Sequence, residues 1–222
     1  MKDALLVSRI DRLARLLAVF FTISLCLLGF FFHPVRFAAS AENDFYVEKA
    51  QAILKGEVPQ SKHPLLYPLL SATVSRTFRS EDPFPAAKIV SSLFAGLFVF
   101  LAYLLGKSCF DERVGLFALL SLVLNRDVIA YGITACAHTT YYAFALGVLL
   151  LCVKKEPTVK TSVVMAFLFV MAFLAHALAV VLLPLIAIWL GAYSSRTPKE
   201  KILAAFSFAV ASAAFVYPIS SG

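Results

Sequence analysis

Charge is scarce in this chain. Only 15% of its 222 residues are Asp, Glu, Lys or Arg, while 61% are hydrophobic and 14% aromatic. That balance is too apolar for a soluble globular domain, so lipid is the expected solvent for most of the chain. Cysteine is also scarce. Cys26, Cys109, Cys136 and Cys152 lie in or beside apolar segments, and none forms a CxxC pair. The spacing supports neither a disulfide framework nor a structural zinc site, and only Cys136 and His138 stand in metal-ligand register. The net charge of +7 does not point to nucleic acid. Its basic residues form short clusters between apolar runs, a pattern that reads as membrane topology and contact with anionic lipid.

What the sequence does contain is a series of apolar runs. A helix needs roughly 20 such residues to cross about 30 Å of hydrocarbon. The runs at 13–32, 86–105, 114–132, 139–153, 163–175, 177–191 and 202–217 predict an all-α bundle of about seven transmembrane spans in a single membrane domain, 1–222. The long run from 163 to 190 is divided at His176 into two short helices. Lys2, Arg9, Arg12 and Arg15 precede the first span, Lys107 and Arg113 follow the second, Lys154, Lys155 and Lys160 the fourth, and Arg196, Lys199 and Lys201 the sixth. With seven spans every cluster falls on one side, which predicts a cytoplasmic N-terminus in a multi-pass protein of the plasma (inner) membrane. The first run followed by Ala39-Ser40-Ala41 resembles a signal peptide with its cleavage site, but an apolar run of about 20 residues fits an uncut helix better.

The loop 33–85 is then extracytoplasmic and carries most of the charge on that side. Val47, Ala50 and Leu54 share one helical face, with Asp44 at an N-cap position and Gly56 at a C-cap, so the pattern predicts an interfacial helix over 45–55. A second, over 64–78, opens on Pro64 and is expected to bend at Pro68. Asp44 reads as a cap or as a functional carboxylate, and Lys62-His63-Pro64 as a solvated turn or as a basic site. Asn125-Arg126-Asp127 falls about 16 to 20 Å from the inner face of the third span. A charge at mid-depth costs about 2.5 to 3.5 kcal/mol, so these residues either face a cavity or end a short helix at the interface.

The order of these features resembles the C-type (GT-C) membrane glycosyltransferases, and within them the protein O-mannosyltransferase and aminoarabinose transferase branch, glycosyltransferase family 39-like. The resemblance rests on Asp44-Phe45-Tyr46 with Ala50 and Gly56 behind it, on His63-Pro64-Leu65-Leu66-Tyr67-Pro68-Leu69-Leu70, and on a long second span ending near Tyr103-Leu104-Leu105-Gly106-Lys107. It covers about residues 10 to 220, is strongest over 40–110, and implies that the chain corresponds to the family's N-terminal conserved core. Members of the family pass a sugar from a polyprenyl-phosphate carrier to an extracytoplasmic acceptor, which here would be protein, lipid or glycan. The resemblance implies Asp44 as catalytic base and the Lys62-His63 turn as a holder of the carrier phosphate. Many relatives carry a second acidic residue before the fourth span, where this chain reads Ala137-His138-Thr139. Asp127, eleven residues before His138, is no obvious substitute. A divalent cation stays open as a cofactor.

A single carboxylate suffices for such chemistry. Polyprenyl phosphate leaves as a stable anion, so positive charge on the developing phosphate replaces the general acid that glycoside hydrolysis needs. Asp44 would deprotonate the acceptor hydroxyl, and Arg126 with Lys62 or His63 would hold the phosphate, arginine being suited to bidentate contact. Tyr46 and Tyr67 are candidates to stack on sugar or prenyl chain, or serve as interface anchors. Asp127 and His138 are further candidate contacts, His138 equally a structural residue. The alternative is a non-catalytic polyprenyl-lipid-binding or flippase-like protein built on the same core. A small transporter is less well supported, because charges within the spans are few and no pair of matching broken helices stands out.

Overall fold

The computed structural model describes residues 2–31, 41–57, 59, 64–154, 158–192, 205, 208 and 209, with the backbone alone for residues 2–5, 41–44, 154 and 191–192. Among these residues the fold is all-α. Nine helices follow one another: α1 (Lys2–Phe31), α2 (Ala41–Lys55), α3 (Leu66–Thr77), α4 (Pro83–Cys109), α5 (Glu112–Val123), α6 (Arg126–Ile133), α7 (His138–Lys154), α8 (Val159–Ala175) and α9 (Leu182–Ala192), with a 3-10 turn at Ala177–Val181 before the last.

Local sequence sets most of these boundaries. Asp82 caps α4 by accepting from the Phe84 amide at 3.1 Å, with Pro83 at the first helical position. Asp111 caps α5 through the Arg113 and Val114 amides at 2.9 and 2.8 Å. Thr158 and Thr161 cap α8 reciprocally. Each cap satisfies amides that have no partner within the helix.

Helix α4 is the hub, packed by α1, α3, α5, α6 and α7. Its inward face is narrow, built from Ser91, Ser92, Ala95, Gly96 and Val99, all buried. Small side chains let neighbouring backbones approach closely, which compensates for the weak apolar drive between helices in lipid. At Gly96 an added Cβ would sit 1.7 Å from Thr22 Oγ1 of α1, and at Gly115 of α5 it would sit 2.6 Å from the Tyr103 carbonyl oxygen of α4. Both crossings depend on the missing side chain.

Two helices, Leu6–Phe31 and Pro83–Cys109, are long and apolar enough to cross a membrane. The segment read as one span over 114–132 is instead two helices bent by 62°. The cause is Asn125, whose Oδ1 accepts from the Asp127 and Val128 amides at 2.9 and 3.2 Å and so starts a new helix in mid-segment. The pair advances along α4 without turning back. Gly115 packs on Tyr103 and Lys107, whereas Gly132 accepts from Ser92 Oγ at 2.8 Å and Ile133 lies against Gly29. Counted as one broken span, it makes a third crossing.

The expected seven full-length spans are therefore corrected to two or three among the described residues. The remaining apolar helices are short: α7 and α8 have 17 residues each, about 26 Å at 1.5 Å per residue against about 30 Å of hydrocarbon. Past Ala175 the helix breaks at His176, whose Nδ1 accepts from the Leu178 amide at 3.2 Å and caps the 3-10 turn. The expected span 202–217 lies almost wholly outside the described residues, Phe208 alone being seen to pack, on Phe169 at 5.9 Å between ring centroids.

Candidate functional site

The most polar interior of the bundle lies where α2 and α3 fold over the beginning of α4. The two short helices pack on each other through Tyr46 and Tyr67, whose rings meet edge to face at 5.6 Å between centroids, and through Arg76, which donates to the Ile53 carbonyl at 3.1 Å. Helix α3 is then fixed to α4 by buried hydroxyls, Ser75 Oγ donating to the carbonyl of the α4 cap residue Asp82 at 3.1 Å. Tyr67 Oη lies 2.8 Å from both the Ala87 carbonyl oxygen and Ser91 Oγ, so its proton is shared between the two acceptors. Burial pushes the Tyr67 hydroxyl well above the ordinary tyrosine pKa, so it stays a neutral donor. On α2, burial draws the Lys49 ammonium below the usual lysine range.

Ser91 extends this network into the turn between α6 and α7. It donates to the Cys136 carbonyl at 3.0 Å and accepts from the Cys136 amide at 3.1 Å. Cys136 Sγ lies 2.8 Å from His138 Nδ1, a thiol and imidazole within proton-transfer reach. The His138 ring stacks on Tyr131 at 5.0 Å and lies 5.2 Å from His176, which also neighbours Tyr141 at 5.6 Å. Two chain breaks, the turn before α7 and the one at His176, thus bring two histidines together at the same end of the bundle. Among the described residues no three His, Cys, Asp or Glu side chains converge as metal ligands.

The residues singled out from sequence fall into three groups. Tyr46, Tyr67 and His138 gather in or beside this network. Arg126 and Asp127 do not: both are exposed at the α5–α6 bend, the length of α6 away from the Thr134 turn, about 12 Å for 8 residues. They lie where one helix ends and the next begins. Lys62 and His63 lie outside the described residues. Asp44 is described by its backbone alone, as the fourth residue of α2, since the helix begins at Ala41 and not after Asp44. That puts the residue in the first turn of the helix and not at the cap position. Nor does Pro68 bend α3. The helix starts at Leu66, which puts Pro68 in the first turn, where a missing amide leaves no bond unmade.

Lys88 escaped the sequence reading. It is 4% exposed, and its Nζ donates to the Gly29 carbonyl at 3.0 Å and lies 4.7 Å over the Phe84 ring. A lone lysine near the start of an apolar helix was the available signal. On the solvent side of the α2–α3 pair, a cleft of about 450 Å³ is lined by Lys55, Arg76, Arg79 and Glu81 among others. No known protein family matches the chain, and no curated protein or solved structure matches it.

Proposed function

We propose that this chain is an inverting membrane glycosyltransferase that moves a sugar from a polyprenyl-phosphate-linked donor to the hydroxyl of an extracytoplasmic acceptor. The finer topology proposed with it has a cytoplasmic N-terminus, α2 and α3 on the extracytoplasmic side, and the short helices α7 to α9 embedded beside the two long ones. The observation that carries the reading is the placing of α2 and α3. Two short helices between the two longest apolar helices fold over one end of the bundle, and Tyr67 holds them to Ser91 and Ala87 at 2.8 Å. The pair roofs a polar interior at the level where a lipid-borne phosphate would sit.

In this scheme Asp44, in the first turn of the roofing helix, is the base that takes the acceptor proton. Lys62 and His63, which precede α3 in the sequence, neutralise the departing phosphate. Tyr46 and Tyr67 set the shape of the roof, and His138 supplies a polar contact from below. General-base catalysis contributes about 10² to 10⁴ in rate. In reconstituted membranes supplied with a labelled polyprenyl-phosphate sugar, Asp44→Asn is expected to lose transfer by about that factor. Undiminished transfer would sink the assignment.

One observation favours a second reading, a lipid-binding or flippase-like protein without turnover. Among the residues whose side chains are described no Asp or Glu is buried, whereas Lys49 and Lys88 are. Carrier binding by the unaltered chain without any transfer to acceptor hydroxyls would select it.

A further inference from the structure

At the opposite end of the bundle, two cavities meet on the crossing of α1 and α4. One, of about 300 Å³, runs along the helices and is lined by Ala18, Val19, Thr22, Gly96, Leu97 and Phe100, with Arg15 at its mouth. The other, of about 310 Å³, begins at Arg15 and Phe100 and continues to Asp11, Tyr103 and Lys107. Shared residues make them one groove with an apolar stem and a polar head. From Arg15 to Thr22 the stem follows α1 for about 10 Å at 1.5 Å per residue.

In the head Lys107 is shared between the carboxylates of Asp11 and Glu112, at 2.6 and 3.7 Å, and Arg15 stands outside those ion pairs. Both Asp11 carboxylate oxygens are held by Lys107 Nζ, at 2.6 and 2.9 Å, and Tyr103 Oη also donates to one of them. Arg15 donates only through Nε, to the Asp11 carbonyl at 3.3 Å, and makes no ion pair among the described residues. Its remaining guanidinium donors stay available for a planar, bidentate anion. The stem is kept smooth by Thr22, whose hydroxyl is turned back onto the Ala18 carbonyl at 2.8 Å, and by Gly96, which has no side chain to fill it.

We infer that this groove binds one anionic phospholipid of the leaflet at the Arg15 end, its phosphate on Arg15 and an acyl chain along Val19, Leu97 and Phe100. The inference rests on reading α1 and α4 as membrane spans. Charge complementarity selects the occupant: an apolar channel on a lipid-facing helix pair, closed at headgroup depth by an exposed arginine with free guanidinium donors, matches an anionic lipid better than a zwitterionic one.

The full-length chain is reconstituted in vesicles of phosphatidylcholine and phosphatidylglycerol, tested for flotation, and its retained lipids counted by native mass spectrometry. Phosphatidylglycerol is expected to be retained above its share of the bilayer. Arg15→Gln should lower that retention about fivefold, the factor for one basic side chain near an anionic surface, with phosphatidylcholine unchanged. Arg12→Gln, an exposed cation outside the groove, should leave retention as it was, and Val19→Trp, which fills the stem from its exposed side, should lower both lipids. A chain that does not float overturns the membrane reading and the lipid site with it. A chain that floats but keeps the two lipids equally, or responds alike to Arg12→Gln and Arg15→Gln, overturns the lipid site alone.

Discussion

Lys107 Nζ lies 2.6 and 2.9 Å from the two carboxylate oxygens of Asp11, joining the first long helix to the second at the end opposite the α2–α3 roof. Glu112 of α5 stands behind the ammonium at 3.7 Å, so the pair ties three helices together. Both partners are about a quarter exposed, at 26% and 29%, which weakens the attraction without reducing it to that of a surface pair. Asp11→Asn should cost about 1–2 kcal/mol, the range for a hydrogen bond to a charged group less the residual attraction of Glu112. Combining it with Lys107→Gln should cost less than the sum of the two single changes. Denaturant unfolding in detergent micelles measures the cycle, and strict additivity would mean that the pair contributes nothing.

Gly115 is the point where α5 rests on α4. Its added Cβ would meet the Tyr103 carbonyl oxygen at 2.6 Å and the Lys107 amide nitrogen at 3.0 Å, both backbone atoms that cannot rotate away. Gly115→Ala should therefore destabilise by about 1–3 kcal/mol through overpacking. Gly56→Ala meets nothing within 4 Å, but its φ of +81° is strained for any residue with a Cβ, so it should cost about 1 kcal/mol. Melting temperatures of the two variants separate steric clash from backbone strain.

Tyr67 offers a pH signature. Burial raises its pKa above 10.0, so the folded protein holds the phenolic proton where the unfolded chain releases it. Stability from this source is complete below about pH 10 and falls as pH rises further, because the unfolded state then gains by ionising. Tyr67→Phe should lose about 1 kcal/mol at neutral pH with its hydrogen bonds. It should also show a shallower loss of stability than the unaltered protein from about pH 9 to about pH 11. Lysines titrate in the same interval, so the difference between the two proteins carries the result.

Much of the fold was legible in the sequence, and the reason is solvent. A run of about 20 apolar residues has few stable solutions other than a helix in lipid, which made the all-helical class and the two long helices readable from hydropathy. Helix continuity was not. Asn125 can continue a helix or cap a new one, and the choice depends on how α5 and α6 pack against α4. Pro68 is disruptive or harmless according to whether α3 starts at Pro64 or Leu66. The polar network was legible only in part. Tyr46, Tyr67 and His138 stood out in the sequence as candidate substrate contacts and not as partners in a network, and Lys88 acquires its role from the Gly29 carbonyl, 59 residues away. Pairings of that kind are created by topology and leave no local pattern.

Cysteine chemistry can test the orientation on which the proposed activity depends. Cys109, at the end of α4 beside the Lys107 cluster, is exposed, whereas Cys136 is buried and Cys26 and Cys152 are half-buried. A charged maleimide should thus react first at Cys109, and at Cys136 only after unfolding, since its thiol is also engaged by His138 at 2.8 Å. If basic clusters are retained in the cytoplasm, Cys109 is shielded in intact cells and labelled once they are permeabilised. In a chain whose Cys109 is replaced by serine, Glu81→Cys, on the exposed turn between α3 and α4, should label from outside without permeabilisation. Helix α4 separates the two positions by 27 residues, about 40 Å of rise, so labelling of both from one side would require α4 to lie along the membrane instead of crossing it. The reverse pattern would place Asp44 and the α2–α3 roof in the cytoplasm, and transfer to an extracytoplasmic acceptor would then be ruled out.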